Sequence, residues 1–393
     1  MRLGIFGGTF NPPHLGHIKA ASDAAMQLAL DRLLIIPAGT PPHKDLPHGT
    51  PTAAMRLEMA RLSFGGLDSA EVSDIELRQD GVSYTAETVT KLKAHYPGDA
   101  LFLLMGTDMF LTLEGWKDPE KLLRAVTPAV FSRCAGDTEK IDACAGRLAQ
   151  KYQVDTQIVQ NKALDISSTT LRQALKNRGG VTWLEDKTYA YIIKNKLYGA
   201  RADFNWLRER AFSMMKPKRI PHTVGCEFEA VKLARRWGEN ENDAREAAIL
   251  HDITKYLDLQ AQLHLCEKYD IMIDTVERAE VKLLHAKTGA AIAYSDFGAP
   301  ENVKDAIFWH TTGRADMSLL EKIIYIADYI EPTRDFDGVD DLRALAYDDL
   351  DKAVLKGLEM SIDDMRRRGI IPHQRTQEAV DSFRAFVLHN ERD

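Results

Sequence analysis

The feature that most restricts the fold of this chain lies in its first seventeen residues. An apolar run, Leu3-Gly4-Ile5-Phe6, is followed at once by the segment Gly7-Gly8-Thr9-Phe10-Asn11-Pro12-Pro13-His14-Leu15-Gly16-His17. The run predicts a strand, and the glycines predict a turn at which the backbone can approach a ligand without a Cβ in the way. The two prolines suit the start of a helix, where a missing N–H costs nothing. The segment therefore predicts a strand–turn–helix unit.

The helix of this unit begins with two histidines. His14 and His17 are three residues apart, so on a helix they project from one face. A helix N-terminus presents exposed amides and the positive end of the helix dipole, which favours bound phosphate. A plain turn with two surface histidines is the alternative. We expect a phosphate site formed by Gly7, Gly8, Thr9, Phe10, His14 and His17.

The rest of the chain divides into two parts with different patterns of predicted secondary structure. The first 200 residues alternate apolar runs with amphipathic segments, which is typical of a doubly wound α/β fold with a parallel sheet. Strands are predicted at 3–6, 32–37, 101–105, 129–132 and 157–159, and helices at 53–64, 85–95 and 187–196. Beyond residue 204 only helices are predicted, at about 205–215, 222–237, 242–257, 259–268, 276–294, 301–311, 317–331 and 348–368. We expect domains at 1–200 and 203–393, the second all-α.

Composition excludes several classes of protein. The 393 residues carry a net charge of −7, which argues against a general nucleic-acid binder. No uncharged apolar run approaches the ~20 residues that a membrane span needs, and no secretory signal is visible. The four cysteines show no C-x-x-C spacing and suggest neither a disulfide framework nor a zinc knuckle. We expect a cytoplasmic protein that binds neither nucleic acid nor membrane; its oligomeric state, including a homo-oligomer, stays open.

A second phosphate-type segment lies far along the first half, at 166–172. In Ile166-Ser167-Ser168-Thr169-Thr170-Leu171-Arg172 a Ser/Thr cap opens a helix and an arginine follows, both suited to phosphate oxygens. Together with His14-Leu15-Gly16-His17, this segment resembles the nucleotidyltransferase superfamily signature, in which an H-x-G-H motif binds the triphosphate of ATP.

Other residues narrow the resemblance. Pro41-Pro42-His43-Lys44, Ser83-Tyr84-Thr85, Gly106-Thr107-Asp108, Trp116 and Phe131-Ser132-Arg133 occur in the order found in bacterial nicotinate mononucleotide adenylyltransferases, and the resemblance covers 1–198. It implies that ATP and nicotinate mononucleotide give deamido-NAD and pyrophosphate, with Mg²⁺. It also implies that Trp116 stacks on the pyridine ring, Thr85 holds the carboxylate and Asp108 binds ribose. Lys44 and Arg133 would lie near the mononucleotide phosphate. Cys134 departs from the family, which usually has proline there.

The implied chemistry needs no general base. The nucleophile is a phosphate oxygen that is already ionised, so catalysis reduces to alignment and neutralisation of phosphate charge. The residues suited to this role are His14, His17, Lys44 and Arg172, with Ser168 and Thr169 binding substrate. Another mononucleotide acceptor is the alternative.

His251-Asp252 is the strongest signal in the second half. Asn242 or Asp243 is expected to cap a helix over 242–257, with Glu246 completing a capping box. Ala244, Ala247, Ala248, His251, Asp252 and Lys255 would form one stripe of it. A His–Asp pair directed at a helix junction is costly unless it is paired or binds metal.

Further metal-type residues are predicted on neighbouring helices. The candidate ligands are His222, His251, Asp252, His285, His310 and Asp328. They are enough for two cations about 3.5–4 Å apart, with Asp252 between them. Mixed imidazole and carboxylate ligands suit Fe, Mn, Co or Zn and do not select among them.

The order His…His-Asp…Asp resembles the HD superfamily of metal-dependent phosphohydrolases. The strings 251–255, 310–314 and 327–332 resemble its bacterial symmetrical diadenosine tetraphosphatase branch, over about 205–385. This implies a di-iron centre that hydrolyses diadenosine tetraphosphate to two ADP. Lys255 would neutralise phosphate or protonate the leaving group, and Thr312, Arg314 and Arg334 would grip the polyphosphate. A nucleotide sensor without turnover, or a hydrolase of another nucleotide, is the alternative.

Overall fold

The chain folds into two compact units, Met1–Arg201 and Ala202–Asp393. The structure, a computed structural model, describes residues 1–39, 46–78, 81–132, 137–161, 164, 166–278 and 281–390. No helix in these ranges is both long and apolar enough to cross a bilayer.

A parallel sheet forms the centre of the first unit. Its strands within the described ranges are β1 (Arg2–Gly8), β2 (Arg32–Pro37), β3 (Ala70–Val72), β4 (Ala100–Gly106), β5 (Thr127–Ser132) and β6 (Gln157–Gln160). They lie in the order β3-β2-β1-β4-β5-β6, and every neighbouring pair is parallel. The helices of this unit are α1 (Leu15–Gln27), α2 (Ala53–Phe64), α3 (Thr85–His95), α4 (Thr107–Leu111), α5 (Pro119–Ala125), α6 (Thr138–Tyr152), α7 (Ser168–Lys176) and α8 (Asp186–Lys194).

The sheet is buried on both faces because its strands are apolar on both. Leu3 and Ile5 belong to one hydrophobic cluster and Phe6 and Leu33 to another. The order of the strands reverses between β1 and β4, and the carboxyl ends of strands at such a point form a crevice that binds ligands in open α/β sheets. The segment after Gly8 and the segment after Gly106 both begin at this edge.

In its described residues the second unit contains helices and turns only. Its helices are α9 (Phe204–Ser213), α10 (Ile220–Trp237), α11 (Glu241–Leu250), α12 (Leu259–Lys268), α13 (Val281–Ser295), α14 (Glu301–Trp309), α15 (Leu319–Ile330), α16 (Val339–Asp348), α17 (Leu350–Arg367) and α18 (Gln374–Asn390). Helix α11 packs against α10, α14 and α15. Its alanines Ala244, Ala247 and Ala248 are fully buried, so the neighbouring helices approach closely.

Both predicted fold classes are confirmed, and the errors are local. The five predicted strands are present as β1, β2, β4, β5 and β6, whereas the edge strand β3 is three residues long and only half-buried, too short for its pattern to show. The predicted helix 242–257 is wrong, because α11 ends at Leu250 and residues 251–256 form turns. Its cap is Asn240, which accepts the N–H groups of Asn242 and Asp243. Helices α16 and α18 were not predicted.

Candidate functional sites

The loop between β1 and α1 is built around the two histidines. His14 is the N-cap of α1, and its backbone N–H donates to Nδ1 of His17 at 3.2 Å. The two imidazole rings lie with their centroids 3.8 Å apart. The prolines therefore precede the helix, whose first residue is Leu15, and the histidines share its N-terminal turn as predicted.

Phe10 anchors this loop in the core. Its side chain is 2% exposed and its ring lies edge-on to those of Phe6, Phe64 and His17. A Cβ on Gly8 would come within 3.1 Å of the Phe10 ring, so glycine makes room for it. Phe10 itself has a φ of +44°, a conformation that is strained for a bulky residue. A ligand of this loop would consequently meet the backbone of Phe10 rather than its ring.

The second predicted phosphate segment contacts this loop directly. Helix α7 begins at Ser168, whose hydroxyl donates to the carbonyl of Pro12 at 3.0 Å. Arg172, in the second turn, donates through Nη1 to the carbonyl of Asn11 at 2.7 Å and through Nη2 to Thr169 at 3.1 Å. Two segments about 150 residues apart in sequence thus converge on one loop.

Two residues that the sequence analysis did not select also hold the loop. Arg56 of α2, 1% exposed, donates through Nη1 to the carbonyl of Thr9 at 2.8 Å and through Nη2 to that of Gly39 at 3.0 Å. The hydroxyl of Tyr198 donates to Oδ1 of Asn11 at 2.9 Å, and burial raises the pKa of that hydroxyl. Arg56 lies three and four residues before the buried Met59 and Ala60, and this helical spacing was the one local sign that it faces the core.

The residues expected around the mononucleotide are only partly described. Thr85 begins α3, and Asp108 lies exposed in the first turn of α4, directly after β4. Trp116 is half-buried and packs against the hydrophobic cluster on its side of the sheet. Lys44, Arg133 and Cys134 lie outside the described residues.

The second unit brings all six predicted metal ligands together. Three come from helices α10, α13 and α15, two follow directly on the last residues of α11 and α14, and the sixth, Asp252, follows His251 in the turn after α11. Their ligand atoms form two groups, each within 4.8 Å: His222, His251 and Asp328 in one, and Asp252, His285 and His310 in the other.

Asp252 lies between the two groups and faces both. Its Oδ2 is 3.3 Å from Nε2 of His251 and 3.8 Å from Nε2 of His222. Its Oδ1 is 3.2 Å from Nε2 of His285 and 3.6 Å from Nε2 of His310. A carboxylate with one oxygen toward each group is the arrangement that a bridging ligand of two cations requires.

The hydrogen bonds of the four histidines fit metal binding. His251, His285 and His310 place Nδ1 at 2.7, 2.6 and 2.6 Å from the backbone carbonyls three residues before them. A carbonyl only accepts, so each Nδ1 carries the proton and each Nε2 presents a lone pair. These Nε2 atoms approach one another, to 3.2 Å between His285 and His310. Lone pairs directed at each other repel, and a cation shared between them would relieve that repulsion.

The remaining charges of the site favour ionised aspartates and a neutral His285. Burial opposes ionisation of Asp252, but the surrounding imidazoles of His251, His285 and His310 outweigh it, and its pKa lies well below the usual value. Burial likewise acts against Asp328, but His222 and the positive charges of Lys255 and Arg334 outweigh it, so its pKa also lies well below the usual value. Burial lowers the pKa of His285 to about 4.

Three cationic side chains contact the two aspartates. Lys255 lies 3.1 Å from each oxygen of Asp252, and Arg334 donates to Oδ1 of Asp328 at 2.8 Å. Arg219, which was not predicted, donates through Nε to Oδ2 of Asp252 at 2.7 Å. It immediately precedes α10 and lies three residues before His222, and that position was its only signal.

Glu331 is a second residue that the sequence analysis missed. Nδ1 of His222 donates to its Oε1 at 2.9 Å, and the carboxylate is fully buried. Gly225, one turn after His222, leaves the space that Oε2 of Glu331 fills, because a Cβ there would collide with it. A carboxylate behind a ligating histidine fixes its tautomer and raises its basicity.

Two residues expected to grip polyphosphate have other contacts. Arg314 forms a two-point ion pair with the buried Glu321, at 2.9 and 3.1 Å. The Thr312 hydroxyl donates to the carbonyl of Gly313 at 2.9 Å. Thr311, the residue before it, places its hydroxyl 3.4 Å from Nε2 of His310.

Comparisons with known proteins agree with this division. Residues 5–174 match the family "Cytidylyltransferase-like" and residues 219–333 match the family "HD domain". A protein of Carboxydothermus hydrogenoformans named "Probable nicotinate-nucleotide adenylyltransferase" is 35% identical over 198 residues, covering 50% of this chain and 98% of its own length. One of Gemmatimonas aurantiaca with the same name is 37% identical over 202 residues, covering 50% and 92%.

A solved structure resembles the other half. It is described as a "predicted HD superfamily hydrolase involved in NAD metabolism" from Clostridium acetobutylicum. It is 36% identical with a TM-score of 0.46, and the match covers 47% of this chain and 99% of that one.

Proposed function

We propose that this chain, which belongs to the nicotinate-nucleotide adenylyltransferase family, is a bifunctional enzyme of nucleotide metabolism. Its second half contains an HD domain at residues 219–333. The first unit transfers AMP from ATP to nicotinate mononucleotide. The convergence of Ser168 and Arg172 on the loop of Asn11 and Pro12 carries this proposal, because both halves of the phosphate motif meet there.

The transfer is an in-line displacement at phosphorus. A phosphate oxygen of nicotinate mononucleotide bonds to the α-phosphorus of ATP, the bond to the β-phosphate bridging oxygen breaks, and pyrophosphate leaves with that electron pair. His14, His17, Lys44 and Arg172 would neutralise the charge that develops on the phosphates, and the amides at the start of α1 would orient them. Thr85, Asp108, Trp116 and Arg133 would bind the mononucleotide.

Mg²⁺ would enter this site with its substrate. Mg²⁺ is usually bound through one or two carboxylates and substrate phosphates rather than by a protein cage. All three clusters of metal-ligating side chains found among the described residues belong to the second unit. In the first unit ATP would therefore supply most of the ligands.

The choice of mononucleotide is testable with one side chain. The purified chain should prefer nicotinate to nicotinamide mononucleotide, measured as pyrophosphate release with Mg²⁺ and ATP. Trp116→Phe should retain more of the kcat/KM for the mononucleotide than Trp116→Ala, while the KM for ATP changes less in both. A preference for the amide would refute the substrate, and no pyrophosphate release with either would refute the transfer.

For the second unit we propose hydrolysis of diadenosine tetraphosphate to two ADP at a two-metal centre. Asp252, with one oxygen toward each histidine group, carries this proposal. His222, His251 and Asp328 would hold one cation and His285 and His310 the other. Two such cations, for which we favour iron, would lower the pKa of a water and neutralise phosphate charge.

The protein side chains have separate tasks in this reaction. A water oxygen bonds to a central phosphorus, the bond to the bridging oxygen breaks, and one ADP leaves. Lys255, 35% exposed and 3.1 Å from Asp252, is the residue suited to protonate or neutralise the departing phosphate. Arg219 and Arg334 keep Asp252 and Asp328 ionised and oriented.

A nucleotide sensor is the competing function for the second unit. Metal content and turnover separate the two: the purified chain should contain about two metal ions per chain, as a two-metal centre requires, and release ADP from diadenosine tetraphosphate. A metal-loaded chain that binds this nucleotide without cleaving it would favour the sensor. Faster cleavage of another nucleotide would replace the substrate and leave the hydrolase.

A further inference from the structure

Arg56 is a buried cation with no carboxylate partner among the residues that the structure describes. Arg56 is 1% exposed, and its guanidinium donates to two backbone carbonyls, those of Thr9 and Gly39. Within the described residues no carboxylate lies at ion-pair distance from it, and its Nε has no hydrogen-bond partner there. Burying an unbalanced charge costs several kcal/mol, so a hydrophobic residue would stabilise this position better.

The hydrogen bond from Arg56 to the Thr9 carbonyl determines the direction of the Phe10 N–H. The carbonyl of Thr9 and the N–H of Phe10 belong to one peptide unit, and in a trans peptide the two point in opposite directions. The Thr9–Phe10 bond is not among the cis bonds of the described residues. A carbonyl held inward by Arg56 therefore turns the Phe10 N–H outward, on the loop that precedes His14.

The rest of the loop is held in the same way. The carbonyl of Asn11 accepts from Arg172, and that of Pro12 accepts from Ser168. The Asn11 side chain is fixed between Thr50 and Tyr198, at 3.1 and 2.9 Å. Arg56 completes this set of inward bonds at the end of the loop nearest β1, where no other side-chain donor to Thr9 is present among the described residues.

We propose that Arg56 is a positioning residue of the triphosphate site: it orients the Thr9–Phe10 peptide so that its N–H faces the phosphates, and its unbalanced positive charge lies behind that peptide. The inference rests on the proposed adenylyl transfer for the identity of the anion. Phosphate would supply the negative charge that the described residues do not, which accounts for a charged residue at this buried position.

The test compares two arginines of one helix. Arg61 also lies on α2, but it is half-exposed and its carboxylate neighbour Glu58 is 3.6 Å away. Arg56→Met should weaken binding of Mg²⁺–ATP, measured by titration calorimetry, by about 10- to 100-fold, less than the ~10²- to 10³-fold of a directly lost donor because Arg56 acts through the Phe10 amide. The KM for ATP should rise more than the KM for nicotinate mononucleotide, and Arg61→Met should change neither.

Arg56→Lys guards against a variant that fails to fold. Lysine keeps the charge but cannot hold two carbonyls with a planar fork. Its ATP affinity should fall between those of the parent and Arg56→Met, at an unchanged Tm. The proposal is overturned if Arg56→Lys binds ATP like the parent, or if either variant raises both KM values equally. If the parent binds ATP but releases no pyrophosphate, the proposed function is refuted. The ATP affinities of the parent and the two Arg56 variants would still test the role of Arg56.

Discussion

The two candidate sites are suited to ligands of opposite charge and are built from different groups. In the first unit the loop of residues 9–12 is held by donors to its backbone carbonyls, and its ligand would be an anion held by amides, imidazoles and Arg172. In the second unit side-chain nitrogen and oxygen atoms face one another directly, and their ligands would be cations. An anion site made largely from backbone tolerates the loss of one side chain better than a cation site made from side chains.

Asp252→Asn tests the candidate cation site of the second unit. The amide keeps the shape but loses the charge and offers one oxygen in place of two, so both groups of histidines lose their shared ligand. We expect metal content to fall and ADP release from diadenosine tetraphosphate to drop to background, the largest effect among these predictions. Metal analysis and a coupled ADP assay measure the two.

Adenylyl transfer by the same variant is the internal control, since each unit is compact by itself. Asp305→Asn removes a half-exposed carboxylate whose lysine neighbour is 3.6 Å away, and it should alter neither activity. Full metal content with full hydrolysis in Asp252→Asn would show that this carboxylate bridges nothing.

Arg172→Met tests the corresponding group of the first unit. It removes a donor to the Asn11 carbonyl and a cation from the phosphate site. We expect kcat/KM for ATP to fall by about 10²-fold, comparable to the loss of one oxyanion donor, while hydrolysis is unchanged. Lys176→Met, one turn further along α7 and exposed, is the matched control. Equal activities of the two variants would remove Arg172 from the site.

Glu331→Gln tests the outer partner of His222 while all six candidate metal ligands stay in place. Its side chain still accepts from His222, but without the charge that makes the imidazole a stronger base. Loss of such an outer partner typically lowers metal affinity by about 10- to 100-fold, which a chelator titration measures. Gly225→Ala should act in the same direction, because its Cβ displaces the Glu331 carboxylate.

Gly357→Ala provides the control for added volume on a buried helix face. A Cβ there meets side chains at 3.5 Å, an ordinary contact, so neither metal affinity nor hydrolysis should change. If Gly225→Ala and Gly357→Ala retain metal equally, Glu331 contributes nothing through His222.

The sequence was informative where chemistry or apolar pattern concentrates in short runs. His14, His17 and Arg172 were selected from their spacing and resemblance, and the structure groups the segments that carry them. Arg56 and Glu331 were missed because their partners are a carbonyl and a histidine that lie far away in sequence. No local pattern records such a contact, which exists only after packing.

Boundaries failed for a related reason. The stripe of small residues in α11 continues at helical spacing through His251 and Asp252, yet the chain turns after Leu250. Ending the helix there lets His251 and Asp252 enter the site from a turn, where His251 bonds back to the carbonyl of Ala248 at 2.7 Å. A tertiary contact of this kind leaves no trace in helical periodicity, so the pattern alone overran the end of the helix.

The smallest expected effect concerns the other end of α11, where Asn242 or Asp243 was expected to cap but Asn240 does. Its Oδ1 accepts the N–H groups of Asn242 and Asp243 at 2.9 and 3.1 Å. Asn240→Ala should lower the free energy of unfolding by about 1 kcal/mol, the usual cost of losing an N-cap, as measured by urea denaturation of the full chain. Asn242→Ala, inside the helix and exposed, should leave stability almost unchanged, since alanine is the better helix former. If Asn242→Ala lowered the free energy of unfolding more than Asn240→Ala, Asn242 would be the cap and α11 would begin later. Both variants should retain their metal, because the ligand end of the helix is anchored separately by His251.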